Sequence, residues 1–166
     1  MDVALTPAGP DQESVFAQLM QLYYYDLSEI VGAEIGDDGR FPFAHHKPYW
    51  SDARYHPFLI RVGGHVAGFS VVDSRSRITG EPAWDVSQFF VVRRHRTGGV
   101  GARAAVATFD LFRGPWEVRV IDRNEPAQAF WRKVIDRYTG GRFAEERMDD
   151  DFWHGPVFRF ETTGAA

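Results

Sequence analysis

Phe89-Phe90-Val91-Val92-Arg93-Arg94-His95-Arg96-Thr97-Gly98-Gly99-Val100-Gly101-Ala102 is the stretch on which the reading of this chain turns. Phe89 to Val92 are continuously apolar and end a run from Trp84, so this part reads as a strand buried on both faces. Gly99 to Phe112 reads as a helix, with Val100, Ala104, Ala107, Thr108 and Leu111 on one face. The segment between them is a strand-to-helix loop. Amides at a helix start lack intrahelical acceptors, and the helix dipole adds positive potential, so such a loop attracts anions. Glycine lets backbone approach a phosphate without a Cβ in the way. Arg93, Arg94, Arg96 and Arg103 gather here with no acid among them, in a chain of net charge -4. That local excess predicts an anionic ligand.

Upstream, Val15, Leu19, Leu22, Tyr23, Leu27 and Ile30 recur at helical spacing, with Asp11 as N-cap and Gly32 as stop. Gly36 to Pro57 reads as an irregular loop with room for one short helix. Phe58 to Val62, Gly63-Gly64 and Val66 to Val72 read as a hairpin, because a Gly-Gly pair supplies the positive φ angles of a tight turn. Downstream, Gly114-Pro115 stops the helix and Trp116 to Ile121 is a strand. Asn124 caps the next helix, Pro126 fits its first turn, and Gly140-Gly141 ends it. Phe143 to Met148 and Pro156 to Glu161 close the chain as a hairpin joined by Asp149-Asp150-Asp151. The order predicts one α/β (α+β) domain over residues 1–166. Its central sheet is mixed and mostly antiparallel with a parallel crossover, and helices pack on both faces.

Two phosphate loops compete for the same residues. Gly99-Val100-Gly101-Ala102-Arg103-Ala104 fits a dinucleotide fingerprint, with Asp122 at the end of the next strand where a ribose-binding acid belongs. Against it, Arg93 to Gly98 separate the strand from the first fingerprint glycine, and only about two strands remain after Asp122 to finish a doubly wound sheet. Arg96-Thr97-Gly98-Gly99-Val100-Gly101 instead matches R-x-x-G-x-G and resembles the acetyl-CoA loop of the GNAT superfamily. Asn124-Glu125-Pro126-Ala127-Gln128-Ala129-Phe130-Trp131-Arg132-Lys133 resembles that family's N-x-x-A-x-x-Φ-[YW]-x-K helix start. One helix and one strand separate the two motifs, as in the family. The topological resemblance covers nearly the whole chain and is specific from Phe89 to about Lys133.

The resemblance implies an N-acetyltransferase that moves an acetyl group from acetyl-CoA to an amine by direct attack, without a covalent enzyme intermediate. It implies that Phe90, Val91 and Val92 pair with the pantetheine arm where the strand splays from its neighbour. A backbone N–H there, that of Val91, would hold the developing oxyanion. Arg96, Thr97, Gly98, Gly99, Val100, Gly101 and Ala102 would hold the pyrophosphate. Asn124, Ala127, Phe130 and Trp131 would line the cofactor side of the second motif. Asn124 would cap its helix and face the sulfur. A protonated amine has no lone pair, so a base or a water chain must take a proton; Asp85 is a candidate base, with Glu81 and Asp26 as others. Many members carry a tyrosine where Trp131 stands, and an indole N–H is too weak an acid to replace it. Either the thiolate leaves unassisted or another tyrosine serves. Tyr138, two turns further along the same stripe, is the candidate, with core packing as its competing role.

The family's acceptor pocket is built from the first helix and the loop after it. Here that is Tyr23, Tyr24, Tyr25, Asp26 and Glu29, then Phe41 to Trp50, with Tyr24, Tyr25, Asp26 and Trp50 as candidates. Neighbouring helical residues lie about 100° apart, so Tyr23, Tyr24 and Tyr25 cannot all face a core. Aromatic faces and a carboxylate suit a cationic amine, on a small molecule or a peptide. The alternative is a non-catalytic acyl-CoA-binding sensor or partner module of the same fold.

Composition removes other classes. Apolar residues make up 44% and aromatics 15% of the 166 residues, a globular composition. A domain of this size buries about 70% of its unfolded surface and needs no staple. There are no cysteines, which removes disulfides, thiolate metal sites and a cysteine nucleophile. His45-His46 lacks metal-ligand spacing, so no metal is expected. The net charge predicts no nucleic-acid surface. No apolar run approaches the ~20 residues that span a bilayer, and Met1 to Gln12 lacks the blocks of a signal peptide, so no membrane partner and a cytoplasmic location are the expectations. A homodimer is compatible with all of this.

Overall fold

Gly63 and Gly64 adopt φ of 56° and 83° and turn β2 (Tyr55–Val62) back into β3 (His65–Arg75). Only glycine takes two successive positive φ values without strain, which is why this hairpin is legible in the sequence. The structure, a computed structural model, describes residues 2–42 and 47–162; His45-His46 lies outside the described residues. One strand was missed by the sequence reading. The chain opens not with a helix but with β1 (Val3–Pro7), an edge strand paired antiparallel to β2. Its five residues are too few and too mixed to show a period. A 3-10 turn (Pro10–Gln12) then leads into α1 (Glu13–Val31). Asp11 therefore lies inside that turn and Gln12 holds the cap position without a side-chain bond, correcting the expected cap. Gly32 ends α1 in the left-handed region as expected, at φ 67°.

After β3 come β4 (Pro82–Val91), α2 (Val100–Asp110), β5 (Gly114–Arg119), α3 (Glu125–Thr139), β6 (Phe143–Asp149) and β7 (His154–Thr162). Gly114 and Pro115 thus begin β5 as well as following the helix. Asn124 caps α3 by accepting the Ala127 N–H at 3.2 Å, and Gly140 closes it at φ 61°.

The seven strands form one sheet in the order β1-β2-β3-β4-β5-β7-β6. Every neighbouring pair is antiparallel except β4 and β5. α1 packs on one face through Phe16, Leu19 and Met20 against Leu59, Phe69, Val71 and Phe90. α2 and α3 pack on the other through Ala105, Phe109, Trp131, Val134 and Ile135 against Val72, Val86, Trp116, Val118, Phe158 and Phe160. No helix among the described residues is long and apolar enough to cross a membrane.

Candidate active site

The parallel pair positions the site. β4 and β5 are in register only at Trp84↔Trp116 and Asp85↔Glu117. Beyond Asp85, β4 continues beside β3 as far as Gly68↔Val91, while β5 continues beside β7. The two strands part and leave a fork in the sheet. A bulge helps to open it: Val71 faces Gln88 but Val72 faces Val86, so Ser87 is an extra residue on β4 and kinks the strand. Gly68 allows the bent strand to pass close by. A Cβ built there would lie 1.9 Å from the Phe90 carbonyl oxygen.

Backbone alternation sets what faces the fork. The Val92 N–H donates to the Ala67 carbonyl at 2.8 Å. Groups one residue away on a strand point to the opposite edge, so the Val91 N–H and C=O face the gap. The Val91 carbonyl accepts from Arg96 Nε at 2.7 Å. A cleft of about 410 Å³ runs through the fork. Tyr23, Asp26, Leu27 and Ile30 of α1 line one side, Phe89, Phe90 and Val91 the middle, and Gly101, Asn124, Ala127, Phe130 and Trp131 the other. Trp131 is 7% exposed and meets Phe89 and Phe130 edge-on, each ring centre 5.0 Å away.

At the mouth, Arg93–His95 form a 3-10 turn and Gly98 and Gly99 adopt φ of 69° and 77°. Gly99 caps α2 without any side-chain bond, so the first amides of α2 have no capping acceptor. A Cβ at Gly98 would meet nothing within 4 Å, which marks open space above the turn. Amides, open space and arginines fit a diphosphate, and the Val91 edge fits an extended amide arm. The sequence did not show what Asp26 does here. Its carboxylate pairs with Arg93 at 3.1 Å and with Arg96, across 67 and 70 residues of chain. The arginine cluster, free of acid in sequence, acquires one in space.

Beneath the fork lies a buried polar row. Asp73 on β3, Asp85 on β4, Glu117 on β5 and Arg159 on β7 are successive register partners and share the α1 face of the sheet. Asp73 and Asp85 are 0% exposed and Glu117 3%. Arg119 Nη2 donates to Asp85 Oδ2 at 2.7 Å. Ser76 Oγ donates to Glu117, and Arg159 Nε approaches Glu117 Oε2 at 3.3 Å. Burial pushes the Asp85 carboxyl up to about 6; Arg119 opposes this, while Glu117 and Asp73 add to it.

The other sequence candidates divide. Val92, Thr97, Gly98, Gly99, Val100 and Ala102 belong to the strand end, loop and helix start but do not line the cleft, and the fully buried Asp85 does not line it either. Tyr24 is half-buried and Tyr25 is 64% exposed, both off the cleft wall. Trp50 donates its indole N–H to the Ala8 carbonyl at 2.8 Å and packs edge-on against Phe16, which is a core role. Tyr138 is not brought to the cleft; it donates to Asp110 at 2.8 Å and packs on Phe109, and burial with that hydrogen bond raises its phenol pKa. Tyr23 does line the cleft, and burial raises its phenol pKa, with the nearby Arg119 charge opposing. Among the described residues no three His, Cys, Asp or Glu side chains are placed to hold a metal ion.

A sheet forked at one parallel pair, with an anion-ready helix start at the mouth of the fork, offers a cleft suited to an extended ligand that carries a diphosphate at one end. The profile of the Acetyltransferase (GNAT) family matches residues 17–135, and the chain belongs to that family. No curated protein sequence matches. Among solved structures, an acetyltransferase from Thermus thermophilus aligns at 16% identity over 98% of each chain, with a TM-score of 0.68. AAC(6')-Ib in complex with ribostamycin and coenzyme A aligns at 11% identity over 97% of this chain and 94% of its own, with a TM-score of 0.69. An aminoglycoside acetyltransferase from an uncultured soil metagenomic sample aligns at 14% over 91% and 95%, with a TM-score of 0.64.

Proposed function

We propose that this chain transfers an acetyl group from acetyl-CoA to an amine of a small-molecule or peptide acceptor by direct attack. The observation that carries this reading is the fork itself: the Val91 backbone edge faces a cleft that joins the α2 start to α1. The loop from Arg96 to Ala102 would hold the pyrophosphate. Asn124, Ala127, Phe130 and Trp131 would bound the thioester end. The Val91 N–H would face the oxygen where charge develops. Asp85, through an intervening water, would take the proton that turns an ammonium into a nucleophile. The nitrogen then gains the acetyl carbon as the C–S bond breaks, and the nitrogen's second proton neutralises the departing thiolate.

The acceptor side is aromatic, with Tyr23 on the wall and Tyr24, Tyr25 and Glu29 on the same helix, while the Asp26 carboxylate is already held by Arg93 and Arg96. That suits a cationic amine. One structural neighbour is an aminoglycoside acetyltransferase and another is in complex with ribostamycin and coenzyme A, which places aminoglycosides on the test panel. Thiol release from acetyl-CoA, assayed against spermidine, ribostamycin and a lysine-containing peptide, tests the reading. Turnover with any of them supports it. Binding of acetyl-CoA with no thiol release on any amine replaces it with the sensor reading, which Trp131 at the position of the family tyrosine favours.

A further inference from the structure

Among the described residues six buried side-chain atoms have no hydrogen-bond partner: Arg54 Nε, Asp73 Oδ2, Asp85 Oδ1, Arg119 Nε, Asp122 Oδ1 and Trp153 Nε1. All but the Asp122 atom belong to the polar row under the fork or to the side chains laid on it. Four of these atoms still lie in ion pairs: Arg54 Nε faces Asp73 Oδ2 at 3.5 Å, Arg119 Nε lies 3.8 Å from Glu117 Oε1, and Asp122 Oδ1 pairs with Arg147. Buried polar atoms are normally paired, so Asp85 Oδ1 stands out as a buried carboxylate oxygen outside both the hydrogen bonds and the ion pairs of the row. Asp73 is the better satisfied of the two aspartates. Its Oδ1 accepts the Arg75 N–H at 3.1 Å and Arg54 lies 3.5 Å from its Oδ2. Asp85 has Arg119 on Oδ2 and nothing on Oδ1.

Arg119 stands two residues beyond Glu117 on β5. That strand runs parallel to β4, so Arg119 lies on the open side of the last β4–β5 pair and reaches back to Asp85. Its side chain is 12% exposed. Trp153, from the turn between β6 and β7, lies over the guanidinium with its ring centre 4.8 Å from Cζ. Indole above and carboxylate beside leave the guanidinium little freedom. We propose that Arg119 is a positioning residue for the transfer reaction: clamped under Trp153, it pins Asp85 Oδ2 and leaves Oδ1 as the oxygen open to the incoming proton.

This rests on the reading of Asp85 as the proton acceptor. The groups that face Asp85 are Asp73 from β3, Glu117 and Arg119 from β5, and, one step out, Arg54 before β2 and Arg159 from β7. From α1, the Tyr23 phenol lies within the field of Arg119. Without Arg119, Asp85 would sit between two carboxylates with no cation of its own, and would hold its proton at neutral pH.

Carbon-13 NMR of the Asp85 carboxyl, assigned with Asp85→Asn, reads this without any acceptor. In Arg119→Gln the titration midpoint is expected to rise by about one pH unit or more over the wild type. The acid limb of kcat/KM for the amine turned over on the panel should move with it. Arg119→Lys keeps charge but not the planar fork, so it is expected to restore most of the midpoint while kcat falls roughly ten-fold or more. An unchanged midpoint in Arg119→Gln overturns the assignment. If that variant does not fold, Arg119→Lys decides, and wild-type kcat there overturns it. Asp85→Asn with wild-type kcat/KM overturns the proton-acceptor reading itself, and the positioning role with it.

Discussion

A carboxyl that titrates near 4 in an unfolded chain and at about 6 when folded binds its proton more tightly in the folded protein. Asp85 therefore lowers stability as pH rises from about 4 to about 6, and above that its cost is constant, on the order of 3 kcal/mol. At neutral pH the same residue is ionised and holds an under-bonded oxygen, which is what the proposed proton transfer would use. The Tm of Asp85→Asn minus that of the wild type should grow between about pH 4 and pH 6 and then level off. A flat difference across that range, followed by scanning calorimetry, would show that the carboxyl titrates normally. Asn124 makes a smaller claim. Its side chain caps α3, so Asn124→Ala should cost about 1 kcal/mol in urea unfolding, as caps elsewhere do. A larger loss of CoA affinity than that cap explains would give the residue its second role.

Two elements, β4 and α1, decide whether the fork can take a ligand. β4 bends at its bulge because Gly68 lets the Phe90 carbonyl come close. Gly68→Ala must push the strands apart or flatten the bend, at a cost on the order of 1–3 kcal/mol. CoA binding measured by calorimetry should weaken with it. α1 reaches the mouth through Asp26, whose partners Arg93 and Arg96 are the arginines that the proposed diphosphate would use. Carboxylate and phosphate compete for the same guanidinium groups. Exposed pairs of this kind are worth about 0.2–1 kcal/mol, so Asp26→Asn should tighten CoA up to about five-fold, most at low salt. Weaker CoA binding in that variant would mean that Asp26 orients the arginines for the ligand instead. Neither device was legible in sequence. The loop, the Gly63-Gly64 hairpin and the Asn124 cap were, because glycine, proline and asparagine act on their own backbone within a few residues. The Asp26 bridge and the Asp73–Asp85–Glu117 row depend on which strands and helices become neighbours. Local spacing carries no trace of that register. Asp85 was singled out for its place on the strand before the loop, while Arg119 and Trp153, far along the chain, offered no signal at all.

The molecule treats the two faces of its sheet differently. On the α2 and α3 face an apolar cluster spans β2 to β7 and closes over the join between β4 and β5, with a second cluster of Ile60, Val62, Ala67 and Val91 under Val100 and Ala104 of α2. On the α1 face the apolar cluster stops at β4, and the sheet beyond it carries buried ions. The halves of the sheet are thus tied by two residue pairs and one core, with a cleft through the middle. A ligand that fills the fork touches β4, α2 and α3 together and binds only when the halves are correctly placed. It must then raise stability by mass action, by about 2.7 kcal/mol at roughly a hundred times its Kd. For a domain of this size that is a rise in Tm of roughly 5–10 °C. Acetyl-CoA and CoA should both produce it, since the pyrophosphate and pantetheine contacts are shared. NAD and NADP should not, because the loop reaches its first helix amides only after the basic stretch Arg93 to Gly98 and lacks the tight turn that a dinucleotide uses. A matching rise with NAD would show that the fork is not what selects the ligand.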